Sequence, residues 1–261
     1  MPKLPVRPLA VYALLKELRL SRTDERSLVV AGAPALASAL ARELGDGARP
    51  GAVRTGGGYD GAAALVYVLA GPVDDAVERE LREASRARVP IVCVREGGAD
   101  GDVPYVLATD VIEVPPGHGF PIDRIAEAVA RRLGEKGTAL AARAPVLRRA
   151  VCAELIRRFS VQDGIVGAAF FIPGTDLPVL FLNQARLVLR IADAYGQEID
   201  ANRLPELLAV LGAGFGFRTV ARELLDLVPF AGWALKGVVA YAGTRALGEA
   251  AVRYFEARTD N

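Results

Sequence analysis

The chain contains few residues of the kinds that carry metal or nucleophilic chemistry: two cysteines and one histidine among 261 residues. Cys93 and Cys152 lie far apart in apolar or helical contexts, which argues against a disulfide framework or a zinc site and fits a reducing compartment. His118 stands in the loop VPPGHGFP without nearby cysteines or paired carboxylates, and no Gly-x-Ser-x-Gly motif is present. These absences argue against a catalytic triad, and the sequence predicts no metal.

The sequence also lacks an excess of charge of either sign. Lys and Arg total 32 and Asp and Glu total 31, so no overall field favours nucleic acid as a partner. The chain begins with basic residues and a short apolar stretch, which Lys16, Glu17 and Arg19 interrupt, and no small-residue cleavage site follows. This pattern favours an amphipathic first helix over a secretory signal and predicts a cytoplasmic protein.

Short apolar runs alternate with helical stretches through the first half of the chain. The runs predicted as strands are SLVVAGA (27–33), ALVYVLAG (64–71), PIVCVREG (90–97), and VPYVLA with VIEVP between residues 103 and 115. Continuous Val/Ile/Leu runs separated by helices are typical of a doubly wound, mainly parallel sheet covered on both faces. The glycine-rich segment GDGARPGAVRTGGGYDG, between the first two runs, is predicted as a loop or a degraded strand.

The first strand–helix junction is where a nucleotide-binding domain would carry its phosphate loop. Counted from Gly32, the later glycine, lysine and hydroxyl positions of such a loop are Ala37, Ser38 and Ala39. Without the lysine and the magnesium ligand, phosphoryl transfer has no local counter-charge. The pattern fits either a degenerate nucleotide fold or a generic α/β sheet, and it predicts no bound cofactor.

The C-terminal hundred residues are helical in pattern, with FFIPGTDLPVLFLNQARLVLRIADAYG followed by LVPFAGWALKGVVAYAGTRALGEAAVRYFE. These segments resemble the bacterial YcjF-like domain, a GTPase-associated domain of unknown function. The resemblance covers about two-fifths of the chain. It implies a membrane-associated helical module behind a GTPase-like domain, and it lends architecture and location rather than chemistry.

Small and polar residues in this module are candidates for helix packing or membrane contact. Small residues spaced four apart let helices approach closely, either in lipid or in a soluble bundle. The uncharged runs are shorter than the ~20 residues that a spanning helix needs, so a soluble bundle, a re-entrant hairpin pair and an interfacial structure all stay open. The candidates are Pro173, Gly174, Asp176, Gln184, Gly212, Gly216, Gly232, Trp233, Ala240, Thr244 and Gly248.

A basic stretch precedes the most apolar part of the chain. Basic residues beside an anionic membrane each contribute roughly 1 kcal/mol of attraction. The alternative is that they solvate one face of a helix. The candidates for facing lipid are Arg143, Arg148, Arg149, Arg157 and Arg158.

The sequence therefore predicts four parts: an N-terminal helix (1–23), a degenerate GTPase-like α/β domain (24–135), a basic linker helix (136–160) and an apolar helical domain (161–261). The preferred function is a non-catalytic pseudo-GTPase with a membrane-associated or partner-binding module, acting as a scaffold or regulator at the inner face of the cell membrane. A nucleotide-binding enzyme with an unorthodox loop and a soluble two-domain interaction protein are the alternatives. The partner is not identified, and self-association stays open.

Overall fold

The computed structural model describes residues 23–97, 101–169, 177–197 and 232–259. The chain divides into two compact units, of which one spans residues 23–151 and the other contains the described helices from residue 152 onwards. The predicted N-terminal helix lies almost entirely outside the described residues. The boundary between the two units falls within the segment predicted as a basic linker.

The first unit contains a five-stranded, all-parallel sheet with the order β2-β1-β3-β4-β5. The predicted α/β class with a parallel sheet is confirmed. The strands are β1 (Ser27–Gly32), β2 (Val53–Thr55), β3 (Ala62–Leu69), β4 (Ile91–Glu96) and β5 (Val111–Val114).

Both faces of the sheet are buried. Val29 and Tyr67 point to one face and Leu28 and Val66 to the other, and none of these four side chains is more than 4% exposed. Right-handed crossovers from β1 to β2 and from β3 to β4 run in opposite directions, so their helices cover opposite faces. The direction in which successive strands are added to the sheet therefore reverses between β1 and β3. In doubly wound sheets the binding crevice lies at such a point.

Four helices of the first unit follow the predicted pattern. They are α1 (Pro34–Leu44), α2 (Asp75–Arg86), α3 (Ile122–Leu133) and α4 (Thr138–Arg143). Asp74 caps α2, because its carboxylate accepts hydrogen bonds from the backbone N–H groups of Ala76 at 3.0 Å and Val77 at 2.8 Å.

One strand prediction needs correction, and a segment predicted as either a loop or a degraded strand is found to contain a strand. The segment 103–108 forms turns and the start of a 3-10 turn rather than a strand. Tyr105 has a φ of +66°, which breaks an extended run, and its side chain is 47% exposed. The glycine-rich segment, by contrast, holds the short edge strand β2, which pairs only with β1.

The second unit is helical wherever it is described, apart from the turn at 195–197. Its helices are α5 (Arg148–Ala169), α6 (Leu177–Ala194) and α7 (Gly232–Thr259). The predicted linker helix over 136–160 contains α4 and the start of α5, separated by a 3-10 turn at Pro145–Leu147. An all-helical domain over the whole of 161–261 stays a prediction.

Among the described helices, none combines the length and the apolar character needed to cross a membrane.

Candidate functional site

The end of β1 and the start of α1 form the junction where a nucleotide-binding domain would carry its phosphate loop. Only Ala33 separates the strand, which ends at Gly32, from the helix, which begins at Pro34. The backbone of Gly32 has a φ of +102°, and a Cβ placed there would lie 2.0 Å from the carbonyl oxygen of Val68. Gly32 is therefore required by close strand packing, which is a structural reason for this glycine.

The other three positions of the sought motif lie inside α1. Ala37 is 4% exposed, and its N–H donates to the carbonyl oxygen of Ala33 at 2.8 Å. Ser38 is exposed and Ala39 is half-buried on the same helix. A phosphate loop wraps the ligand with backbone N–H groups before its helix begins. Here the helix starts three residues before the position of the missing glycine, so that loop is not formed.

A cleft of about 540 Å³ lies beside this junction, at the carboxyl ends of β1 and β2. Its walls include the first turns of α1, the loop Gly56–Gly58, Tyr59 and two carboxylates of α2, Glu80 and Glu83. Among the described residues, the lining contains no lysine, arginine or histidine. The cleft therefore presents negative charge where a polyphosphate would need positive charge.

The glycine-rich loop is held by Arg54 of β2. Its guanidinium donates to the carbonyl oxygens of Gly56 at 2.6 Å and Gly58 at 2.7 Å, and to Ser27 Oγ at 2.8 Å. These bonds commit this cation to holding the loop. The sequence offers little reason to expect an anion site at this triple glycine, because no strand signal precedes it and no helix signal follows it; in the structure it comes directly after β2.

The side chain of Tyr67 is buried, and its hydroxyl lies beside the carboxylate of Glu80 on α2. Burial raises the pKa of its phenol well above the ordinary value of 10, and the neighbouring carboxylate of Glu80, which also forms a hydrogen bond with it, raises this pKa further. Tyr67 therefore stays protonated throughout the physiological range and acts as a hydrogen-bond donor.

A buried carboxylate in the second unit joins its three described helices. Asp163 of α5 is fully buried, and it accepts a hydrogen bond from Asn183 Nδ2 of α6 at 2.5 Å and another from Thr244 Oγ1 of α7 at 2.5 Å. Gln184 Nε2 donates to Thr244 Oγ1 at 3.2 Å. Burial raises the pKa of Asp163 above 3.8, and the hydrogen bonds from Thr244 and Asn183 offset part of that rise. We call these four residues the aspartate cluster.

The aspartate cluster places two of the predicted packing residues, Gln184 and Thr244, in a polar network. The sequence did not indicate Asp163 as a site residue, because a single aspartate in a helix is usually exposed to solvent. The available signal was its position inside the apolar stretch FSVQDGIVGAAFF. A carboxylate in such a stretch is buried at a cost unless donors surround it.

Small residues bring α5 and α7 close together. A Cβ on Gly167 would lie 2.8 Å from the Cβ of Ala240, and one on Gly237 would lie 2.8 Å from the carbonyl oxygen of Gly164. Gly248 faces α5 and α6, because a Cβ there would lie 2.6 Å from Ile156 Cγ1 and 3.2 Å from a methyl group of Leu187.

Other predicted packing residues lie outside the described residues: Pro173, Gly174, Asp176, Gly212 and Gly216. Gly232 and Trp233 belong to the first turn of α7.

The predicted lipid-facing arginines make contacts within the protein. Arg143 donates to the carbonyl oxygen of Arg26, and Arg148 donates to those of Ala141 and Ala142. Arg149 is exposed.

Arg157 and Arg158 both bind Glu154. Arg157 is bidentate with both distances at 2.8 Å, and Arg158 Nε approaches to 2.5 Å. Burial raises the pKa of Glu154, which is 6% exposed, but the two arginines outweigh it and hold this pKa below its ordinary value.

No cluster of metal-binding side chains occurs within the described part of the chain. Burial raises the pKa of the Cys93 thiol to about 12, which leaves it protonated and unreactive. His118 lies in an exposed loop, with Nδ1 3.3 Å from the carbonyl oxygen of Pro116.

Comparison of the chain with protein-family models, with curated proteins and with solved structures found no match.

Proposed function

We propose that this chain is a non-catalytic scaffold or regulator, in which a GTPase-like α/β unit without a phosphate site accompanies a helical module that binds a protein partner. The observation that carries the proposal is the one-residue connection between β1 and α1. With the positions of Ala37 and Ser38 already helical, neither the backbone cradle nor the lysine of a phosphate loop is available.

Charge supports the same conclusion. Glu80 and Glu83 line the cleft beside α1, and none of the described residues of its lining is a cation. The guanidinium of Arg54 is bound to the loop carbonyl oxygens. A triphosphate entering this cleft would meet two carboxylates without a compensating side chain, which disfavours the ground state and the transition state of phosphoryl transfer.

Exposed apolar side chains support a docking role for the helical module. Val161 and Ile165, one turn apart on α5, are 43% and 64% exposed. Val238 on α7 is 63% exposed and follows Gly237, which packs on α5. Val161 and Ile165 thus form an exposed apolar pair on one face of α5, and such pairs favour association with a protein or a membrane.

A protein partner is favoured over a membrane because the basic stretch is largely engaged. Glu154 binds both Arg157 and Arg158, and backbone carbonyl oxygens bind Arg143 and Arg148. The Glu154 carboxylate offsets one of the two charges of Arg157 and Arg158. The carbonyl oxygens hold Arg143 and Arg148 against the protein, so fewer of these guanidinium groups are available to anionic lipid.

Nucleotide titration tests the first half of the proposal. Purified protein is mixed with labelled GTP or ATP and magnesium, and binding and turnover are followed beside an active GTPase as positive control. We expect neither. The double variant Ser38→Lys with Ala39→Thr restores the missing side chains, yet it should also fail to bind, because α1 begins at Pro34 and leaves no loop of backbone N–H groups before these positions. Micromolar binding with turnover above buffer by the natural chain would overturn the proposal.

Photocrosslinking tests the second half. A benzophenone side chain is introduced at Ile165, with Arg149 as a matched exposed position on the same helix. We expect protein adducts at position 165 that are absent at position 149. In parallel, the chain should stay in the supernatant with vesicles containing anionic lipid at low salt. Lipid adducts at position 165 together with sedimentation would establish membrane association instead.

A further inference from the structure

A second cleft, of about 290 Å³, lies within the helical unit between α5 and α7. The α5 wall consists of Ala153, Ile156, Arg157 and Ser160, whose spacing of three and four residues places them on one face of the helix. The α7 wall repeats every fourth residue, with Tyr241, Arg245 and Glu249. Two aligned rows of side chains therefore enclose the cleft. It shares no lining residue with the cleft beside β1 and α1.

Ser160 is the unusual member of this lining. It is fully buried, and its Oγ has no hydrogen-bond partner among the described residues. A buried hydroxyl without a partner costs stability, so such groups in native proteins commonly bind a ligand or water. The neighbouring turn of α5 carries Asp163, whose oxygens are both occupied by Asn183 and Thr244. Ser160 is thus a polar group in the cleft that the aspartate cluster does not use.

The open side of the cleft carries guanidinium groups. Arg157 and Arg245 are 60% and 59% exposed at their side chains, and each is oriented by a carboxylate, Glu154 and Glu249 respectively. With Arg158, which shares Glu154, three cations face two anions and leave one net positive charge. A guanidinium has five N–H donors, of which Arg157 uses those of Nε and Nη2 on Glu154.

We propose that this cleft binds a small molecule bearing an oxyanion, either a carboxylate or a phosphate. The oxyanion accepts hydrogen bonds from the Ser160 hydroxyl and from the guanidinium groups of Arg157 and Arg245. The apolar part of the molecule packs on Ala153 and Ile156. The volume limits the ligand to a compact molecule, smaller than a nucleotide.

A series of probes with one apolar body and different head groups tests this assignment. Butyrate, butylamine and 1-butanol are titrated into the isotope-labelled full chain, with inorganic phosphate as a separate arm, at constant ionic strength. Backbone amide shifts near Ser160, Tyr241 and Arg245 are followed. We expect saturable, one-to-one shifts with butyrate or phosphate and none with butylamine. The stronger of the two binding arms identifies the head group.

Two variants and a control localise the binding. Ser160→Ala and Arg245→Gln should each weaken the preferred anion roughly tenfold or more, because each loses a charge-assisted hydrogen bond. Arg258→Gln, on α7 but outside the lining, should leave affinity unchanged. The proposal is overturned if no anion gives saturable shifts, if butylamine binds as well as butyrate, or if both variants bind like the natural chain. None of these results bears on the nucleotide experiment.

Discussion

The aspartate cluster makes the most demanding prediction, which concerns the substitution Thr244→Val. Valine keeps the branched shape of threonine but removes the hydroxyl that donates to Asp163 at 2.5 Å and accepts from Gln184. A hydrogen bond to a charged group contributes about 1.5–3 kcal/mol, and a neutral one about 0.5–1.5 kcal/mol. We therefore expect the helical unit to lose about 2–4 kcal/mol of its free energy of unfolding at neutral pH.

The pH dependence distinguishes this mechanism from simple repacking. Burial raises the folded-state pKa of Asp163 above its unfolded value of 3.8, so the folded state binds the proton more tightly. Its contribution to stability therefore improves as the pH falls through the folded pKa toward 3.8. In Thr244→Val the folded pKa rises further, because a hydrogen bond that lowered it is lost. The cost of the substitution should accordingly shrink on acidification.

Denaturant unfolding, followed through the fluorescence of the single tryptophan, reports on the unit that contains it, since Trp233 belongs to α7. Thr244→Ser is the matched control, because it keeps the hydroxyl and should cost only about 0.8 kcal/mol for the lost methyl group. In an Asp163→Asn background, Thr244→Val should cost less than in the natural chain, since the charge is gone. A Thr244→Val cost below about 0.5 kcal/mol at pH 7, or one that is the same at acidic pH, would refute the reasoning.

Two glycine substitutions, one in each unit, test the close contacts around these glycines. Gly248→Leu should cost about 1–3 kcal/mol in unfolding experiments, because even its Cβ would lie 2.6 Å from Ile156 Cγ1; an unchanged melting temperature would contradict the contact. Gly32→Ala should cost about 3 kcal/mol or more, since it combines a φ of +102° with a Cβ 2.0 Å from the carbonyl oxygen of Val68. Gly58→Ala is the control, with open space around the added methyl group, and should change stability by less than about 0.5 kcal/mol; equal losses at both positions would show that Gly32 is not specially constrained.

The central strands were predictable because each is a continuous apolar run. β1, β3 and β4 lie at the positions that the runs indicated, since strands buried on both faces need no polar alternation. The edge strand β5 also lies in its predicted run, VIEVP, whereas the other edge was harder to predict. β2 is three residues long within a glycine-rich segment, and it exists because β1 offers it a pairing edge. Tyr105 and Leu107 belong to an apolar run that forms turns, and both side chains are exposed.

The polar site of the helical unit was not predictable as a site. Asp163 and Thr244 are 81 residues apart, and Asp163 and Asn183 are 20 apart, so no local spacing links them. Periodicity correctly directs attention to Ala240, Thr244 and Gly248 as one face of a helix. It cannot state that the threonine hydroxyl on that face completes the hydrogen bonds of a buried carboxylate, because that depends on how three helices meet.

The β1–α1 junction and the cleft at Ser160 differ in how their polar groups are satisfied, and this difference bears on function. At the β1–α1 junction, the backbone N–H of Ala37 is bonded to Ala33. A phosphate loop would offer such groups to a ligand, whereas here the N–H of Ala33 is also bonded within the protein, to the carbonyl oxygen of Val68. In the helical unit, the Ser160 hydroxyl is buried without a partner among the described residues. Since unpaired buried groups are where a ligand gains most, small-molecule control of this protein should act through the cleft at Ser160 rather than through the β1–α1 junction.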